Sequence, residues 1–194
     1  MALILPKNYH KLAAVERNGI SWIEPELAER QDIRPLRIGI VNIMPLGMQY
    51  EFNLLHPLGL SPLQIEPVWI RLKTHDYKTW DHEHLDHQYC SWDQANAASS
   101  LDGLIITGAP VEHLAYEQVT YWQEMVELVD IARSQCASTL GLCWAGFALA
   151  YLAGVDKSAF KQKLFGVFPM RSLKPGHALM GTQDDSFVCP QSRH

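Results

Sequence analysis

No apolar run in this chain approaches the roughly 18 residues that a membrane-spanning helix needs. The first eleven residues are broken by Pro6, Lys7 and Lys11, so they lack the apolar stretch and small-residue cleavage site of a secretory signal. Basic residues never cluster beyond two in a row, and the net charge is −5, which gives no support to nucleic-acid or anionic-membrane binding. The four cysteines, Cys90, Cys136, Cys143 and Cys189, contain no CxxC pair, which disfavours a zinc ribbon or a thioredoxin-like site. There is no internal repeat and no low-complexity segment. Together these absences describe a cytoplasmic protein with free thiols and no nucleic-acid or membrane partner. A small anionic substrate stays open, because one pocket can be positive on an acidic protein.

What is present is a chain of 194 residues that is 47% hydrophobic, enough for one domain with a buried core. Residues 1–36 read as an irregular or partly helical arm packing on a domain that spans 37–194. The run from Arg37 to Met44 is nearly all apolar and bounded by prolines, as in a strand buried on both faces of a parallel sheet. A short helix is expected over residues 48–56, with Pro57 ending or bending it. Residues 65–72 form a second strand, 74–100 a loop with a short helix, and 101–108 a third strand. Helical spacing over 117–133 aligns Val119, Trp122, Val126 and Val129, with Met125 and Leu128 beside them. Residues 138–142 are a fourth strand, and 144–152 an apolar, alanine-rich helix stopped by Gly154. Strands alternating with helices predict a doubly wound, mostly parallel α/β sheet.

The chemistry concentrates at Gly141-Leu142-Cys143-Trp144-Ala145-Gly146, where the fourth strand runs into the last helix. Small residues two before and two and three after Cys143 suit a nucleophile elbow, whose tight turn crowds neighbouring side chains. A helix N-terminus favours an anion such as a thiolate, and the backbone N–H of Trp144 would face a developing oxyanion. A thiolate attacks thioesters well, so acyl transfer is the natural reaction. Cys90, Cys136 and Cys189 lack such a context and read as small hydrophobes. A second loop, Thr107-Gly108-Ala109-Pro110, follows its own strand, and loops at parallel strand ends share a crevice. A backbone N–H near Ala109 is the expected second oxyanion donor; a plain β-turn is the alternative. The cluster from Asp81 to His87 holds His82, His84 and His87 in no metal-ligand frame, so no metal is expected.

Several ordered segments resemble the homoserine O-succinyltransferase family and its acetyl-specific relatives: residues 31–38 (Gln-Asp-Ile-Arg-Pro-Leu-Arg-Ile), 42–45 (Asn-Ile-Met-Pro), 102–112 (Asp-Gly-Leu-Ile-Ile-Thr-Gly-Ala-Pro-Val-Glu), Cys143-Trp144, 163–167 (Lys-Leu-Phe-Gly-Val) and 192–194 (Ser-Arg-His). The resemblance implies a flavodoxin-like fold of the class I glutamine amidotransferase kind. It implies that Cys143 takes an acyl group from acetyl-CoA or succinyl-CoA and passes it to the hydroxyl of L-homoserine, a step of methionine biosynthesis, with acyl-CoA as substrate and no cofactor. Glu112 matches the position where the family chooses its donor: a carboxylate there goes with acetyl-CoA and glycine with succinyl-CoA, in keeping with repulsion of the succinyl carboxylate. Lys163, Ser192 and Arg193 match substrate-binding positions, with Lys163 a point charge for the substrate carboxylate. A homodimer is what the family suggests.

Three differences from the family's pattern stand out. Its Met-Pro-Thr-Lys stretch is Met44-Pro45-Leu46-Gly47 here, without the lysine. Pro57 falls where the family continues a helix. The family's His and Glu, which complete a Cys-His-Glu triad, and a substrate-binding arginine lie beyond the last residue, His194. Loss of a general base typically costs about 10²–10⁴-fold. Among the nine histidines, His113, next to Glu112, is the nearest substitute in sequence. Three readings follow: an acyltransferase, with L-serine as an alternative acceptor; a cysteine hydrolase or amidotransferase of the same fold; and a catalytically incomplete family member that binds a ligand or partner.

Overall fold

In the computed structural model, which describes residues 2–181 and 184–193, the apolar runs form a six-stranded parallel sheet. Its strands are β1 (Leu3–Ile4), β2 (Trp22–Ile23), β3 (Leu36–Val41), β4 (Ile65–Ile70), β5 (Gly103–Ile106) and β6 (Ser138–Gly141), in spatial order β2-β1-β4-β3-β5-β6. Between them run α1 (Leu12–Arg17), α2 (Pro25–Ala28), α3 (Glu51–Gly59), α4 (His82–Gln88), α5 (Trp92–Ala98) and α6 (Trp122–Gln135), and α7 (Trp144–Leu152) follows β6.

Alternating residues along β3, β4 and β5 feed two separate cores, so the sheet is covered on both faces. Ile40, Trp69 and Ile105 point to one core with Val15, Leu55 and Leu85 from α1, α3 and α4. Val41, Ile70, Leu104 and Ile106 point to the other with Ala95, Met125, Leu128, Trp144 and Ala148 from α5, α6 and α7. This is the expected doubly wound α/β arrangement. The strand order reverses at β3: the chain passes from β3 to β4 on one side, while β5 pairs on the other. The crevice at the carboxyl ends of β3 and β5 is therefore the topological switch point, where open α/β sheets place their ligands.

Three elements differ from the sequence-based expectation. Residues 1–36 hold not only α1 and α2 but β1 and β2, which extend the sheet; at two residues each they are too short to show a period. The buried stripe of α6 is Met125, Leu128, Val129 and Ala132, with Val126 only half-buried and Val119 in the turn before the helix. The helix begins five residues later than the spacing suggests, after a 3₁₀ turn over Tyr116–Gln118. Pro57 lies inside α3, which continues to Gly59. The proline removes one hydrogen bond within the last turns, a cost the packing of Leu55 on the same helix offsets.

By compactness the chain divides into two units, Met1–Val155 and Asp156–His194. The second unit contains one antiparallel hairpin of β7 (Leu164–Arg171) and β8 (Ser186–Arg193), paired from Leu164↔Arg193 to Arg171↔Ser186. Among the described residues, no helix is long and apolar enough to cross a membrane.

Candidate active site

Cys143 stands between the end of β6 and the first residue of α7 with φ 55° and ψ −120°. A side chain other than glycine's seldom occupies this region, and such strain persists only where the surroundings fix it. Here the fixing contacts are close. The Leu142 N–H donates to the Ile106 carbonyl at 2.9 Å, and the Gly146 N–H donates to the Cys143 carbonyl at 3.0 Å. A Cβ added at Gly141 would lie 2.6 Å from the Ala145 carbonyl oxygen, so strand and helix can approach this closely only with glycine there. The Trp144 side chain turns into the core, 1% exposed, in edge-on contact with Tyr121 and Trp122. It anchors the turn while the Cys143 side chain remains exposed. As the first residue of α7, Trp144 has a backbone N–H with no acceptor inside the helix, which fits an oxyanion donor.

The loop after β5 lies against the elbow because β5 and β6 pair in parallel, Ile106 opposite Gly141. A Cβ at Gly108 would sit 2.7 Å from the Cys143 Cβ and 3.1 Å from its Sγ. The structure thus brings Gly108 to the thiol. Ala109 follows, 8% exposed, its carbonyl accepting from the Val111 N–H at 2.9 Å. Glu112 and His113 are exposed in the turn beyond.

Cys90 and Cys136 are half-buried, and burial raises both thiols, with the Asp102 charge adding to the rise at Cys136. That leaves them poorly reactive. Cys189 is half-buried on β8. Lys163, Ser192 and Arg193 all belong to the second unit and gather at one end of its hairpin. Ser192 pairs with Phe165, Arg193 with Leu164, and the exposed Lys163 immediately precedes Leu164, its Nζ 6.0 Å from the centre of the Phe165 ring. His194 lies outside the described residues.

Behind the elbow runs a buried polar network that residue patterns do not reveal. The Thr107 hydroxyl donates to Asn42 Oδ1 at 3.3 Å and accepts from the Ile43 N–H at 2.9 Å. Asn42 Nδ2 donates to the Tyr89 hydroxyl at 3.2 Å, and Tyr89 donates to Glu51 Oε1 at 2.9 Å. Asn42, Thr107 and Glu51 are fully buried. The chain of bonds ties the loops after β3 and β5, the two lips of the switch-point crevice, to α3 and α4. Asn42 and Thr107 stand in segments the sequence marks, but the network's members lie too far apart in the chain to form a pattern. A Cβ at Gly47 would lie 2.1 Å from the Trp80 ring, whose Nε1 donates to the Met44 carbonyl at 2.9 Å, so a side chain at 47 would displace the indole.

Residues 2–194 match the homoserine O-succinyltransferase family model. The chain is 42% identical over 195 residues to a homoserine O-acetyltransferase of Bacteroides thetaiotaomicron, covering 100% of this chain and 64% of that protein. It is 39% identical over 194 residues to a homoserine O-acetyltransferase of Cereibacter sphaeroides, covering 100% of this chain and 63% of that protein. The chain thus spans less than two thirds of the length of these relatives. A match that runs across both units and includes the elbow shows that the chain belongs to the homoserine O-succinyltransferase family.

Proposed function

We propose that this chain carries the nucleophile of an acyltransferase that moves an acetyl group from acetyl-CoA, through a thioester on Cys143, to the hydroxyl of L-homoserine. The observation that carries this reading is Cys143 itself: an exposed thiol in a strained turn at a helix N-terminus, with the glycine loop at Gly108 against it. In the first half-reaction the Cys143 thiolate attacks the thioester carbonyl. Negative charge builds on that oxygen, opposite the N–H groups of Trp144 and Ala109, and CoA thiolate leaves. In the second, the homoserine hydroxyl attacks the acyl-Cys143 carbonyl, its proton passes to a base, and the Cys143 thiolate is regenerated.

Glu112 selects the donor by charge, admitting acetyl and repelling the carboxylate of succinyl. Lys163, Ser192 and Arg193, gathered at one end of their hairpin, hold the amino-acid substrate, with the cations taking its carboxylate. The relatives' name, homoserine O-acetyltransferase, supports homoserine as acceptor and acetyl as the group transferred.

The acceptor is tested by loading the chain with the acetyl group, removing free acetyl-CoA and adding L-homoserine. The acyl-enzyme should decay faster with L-homoserine than in buffer and yield O-acetylhomoserine. Faster decay with L-serine would assign the alternative acceptor. Decay in buffer at an equal rate would point instead to a hydrolase of the same fold.

A further inference from the structure

We propose that His10, Glu51 and His84 form a binding site for one divalent transition-metal ion, zinc being the first candidate. The three side chains come from three separate segments: His10 from the turn before α1, Glu51 from the first turn of α3 and His84 from α4. One donor atom of each lies within 4.8 Å of the others. His84 Nε2 is 2.7 Å from Glu51 Oε1, and His10 Nε2 is 3.5 Å from Glu51 Oε2. Two imidazoles and a carboxylate are a recurrent three-ligand set for zinc, leaving a fourth position for water or another ligand. Bonds of about 2.0–2.1 Å in a tetrahedron place donors about 3.3 Å apart. The two histidines meet different oxygens of the Glu51 carboxylate, so an ion bound through either oxygen would need small shifts of the rings toward it.

The surroundings favour a cation. Glu51 is fully buried, and the ion-pair partners found for it among the described residues are the two histidines. A buried carboxylate without a fixed countercharge is costly. The supporting shell is also in place. Tyr9 and Tyr89 each donate a hydroxyl to Glu51, one to each oxygen, at 2.7 and 2.9 Å. The His10 side chain is 29% exposed, so an ion has an entry path. The Asp81–His87 cluster alone did not suggest this site, because His84 is the one ligand that α4 contributes.

The test is titration of the chelator-stripped 194-residue chain with Zn²⁺ by calorimetry, and with Co²⁺ by absorption. The expected result is one equivalent bound, with tetrahedral Co²⁺ bands and no thiolate charge-transfer band. His10→Gln and His84→Gln should each weaken binding by at least about tenfold. His10→Gln alters a partly exposed ring, so it decides the matter even if His84→Gln folds poorly. Cys143→Ser should bind the ion like the parent chain. No uptake by the parent, unchanged affinity in His10→Gln, or loss of binding in Cys143→Ser would each overturn the proposal.

Discussion

At the scale of single residues, charge placement makes the clearest predictions. Asp102 accepts from Arg34 at 2.8 Å and from the Arg37 backbone N–H at 2.8 Å. Burial pushes its carboxyl up, but these bonds and the arginine charges outweigh it and hold the group below the usual carboxylate range. A lowered folded-state value means the stabilisation is complete above the unfolded value of about 3.9 and is lost as pH falls through the folded one. Asp102→Asn should cost about 1–2 kcal/mol at neutral pH in urea unfolding, with the difference from the parent shrinking in acid. His75 behaves similarly for a different reason. Burial lowers its value, outweighing the Asp76 and Glu124 charges, so its contribution fades as pH drops below about 6.5. Glu112→Gly tests the donor rule. If a fixed charge excludes succinyl-CoA, the variant should shift the ratio of Cys143 loading toward succinyl by roughly tenfold or more, since like charges brought together cost several kcal/mol. An unchanged ratio would remove Glu112 from donor choice.

Among the elements, the elbow was legible because its information is local. Two glycines, an alanine and a cysteine at fixed offsets, with a strand before and a helix after, specify the turn, and the structure places β6 and α7 within a residue of the expected ends. The same locality yields a paired prediction. Gly141→Ala drives a Cβ against the Ala145 carbonyl and the Gly146 nitrogen, neither of which can yield, and should cost about 3 kcal/mol. Gly154→Ala, just past α7 with φ 84° and open space around it, meets only backbone strain and should cost about 1–2 kcal/mol. Chemical unfolding midpoints compare the two; equal losses would deny the tight strand–helix contact. The network through Thr107, Asn42, Tyr89 and Glu51 was not legible for the opposite reason. Tyr89 and Glu51 are 38 residues apart, Asn42 and Thr107 65 apart, and nothing in either segment names its partner. The face of α6 was misjudged because its apolar residues exceed one stripe, so tertiary packing chooses which are buried.

Across the whole molecule, the sheet order explains why the chemistry lies where it does. Parallel pairing of β3, β5 and β6 aligns their carboxyl ends, bringing the Thr107–Ala109 loop and Cys143 to one rim of the first unit. The hairpin of the second unit independently gathers Lys163, Ser192 and Arg193, positions set widely apart in the chain. The proposed acceptance of the acyl group by Cys143 is read out by intact-mass analysis of the chain after exposure to acetyl-CoA alone. The expected result is one added acetyl group, located on Cys143 by peptide mapping, labile to hydroxylamine and absent from Cys143→Ala. No adduct from either acetyl-CoA or succinyl-CoA, or an adduct that persists in Cys143→Ala, would contradict it.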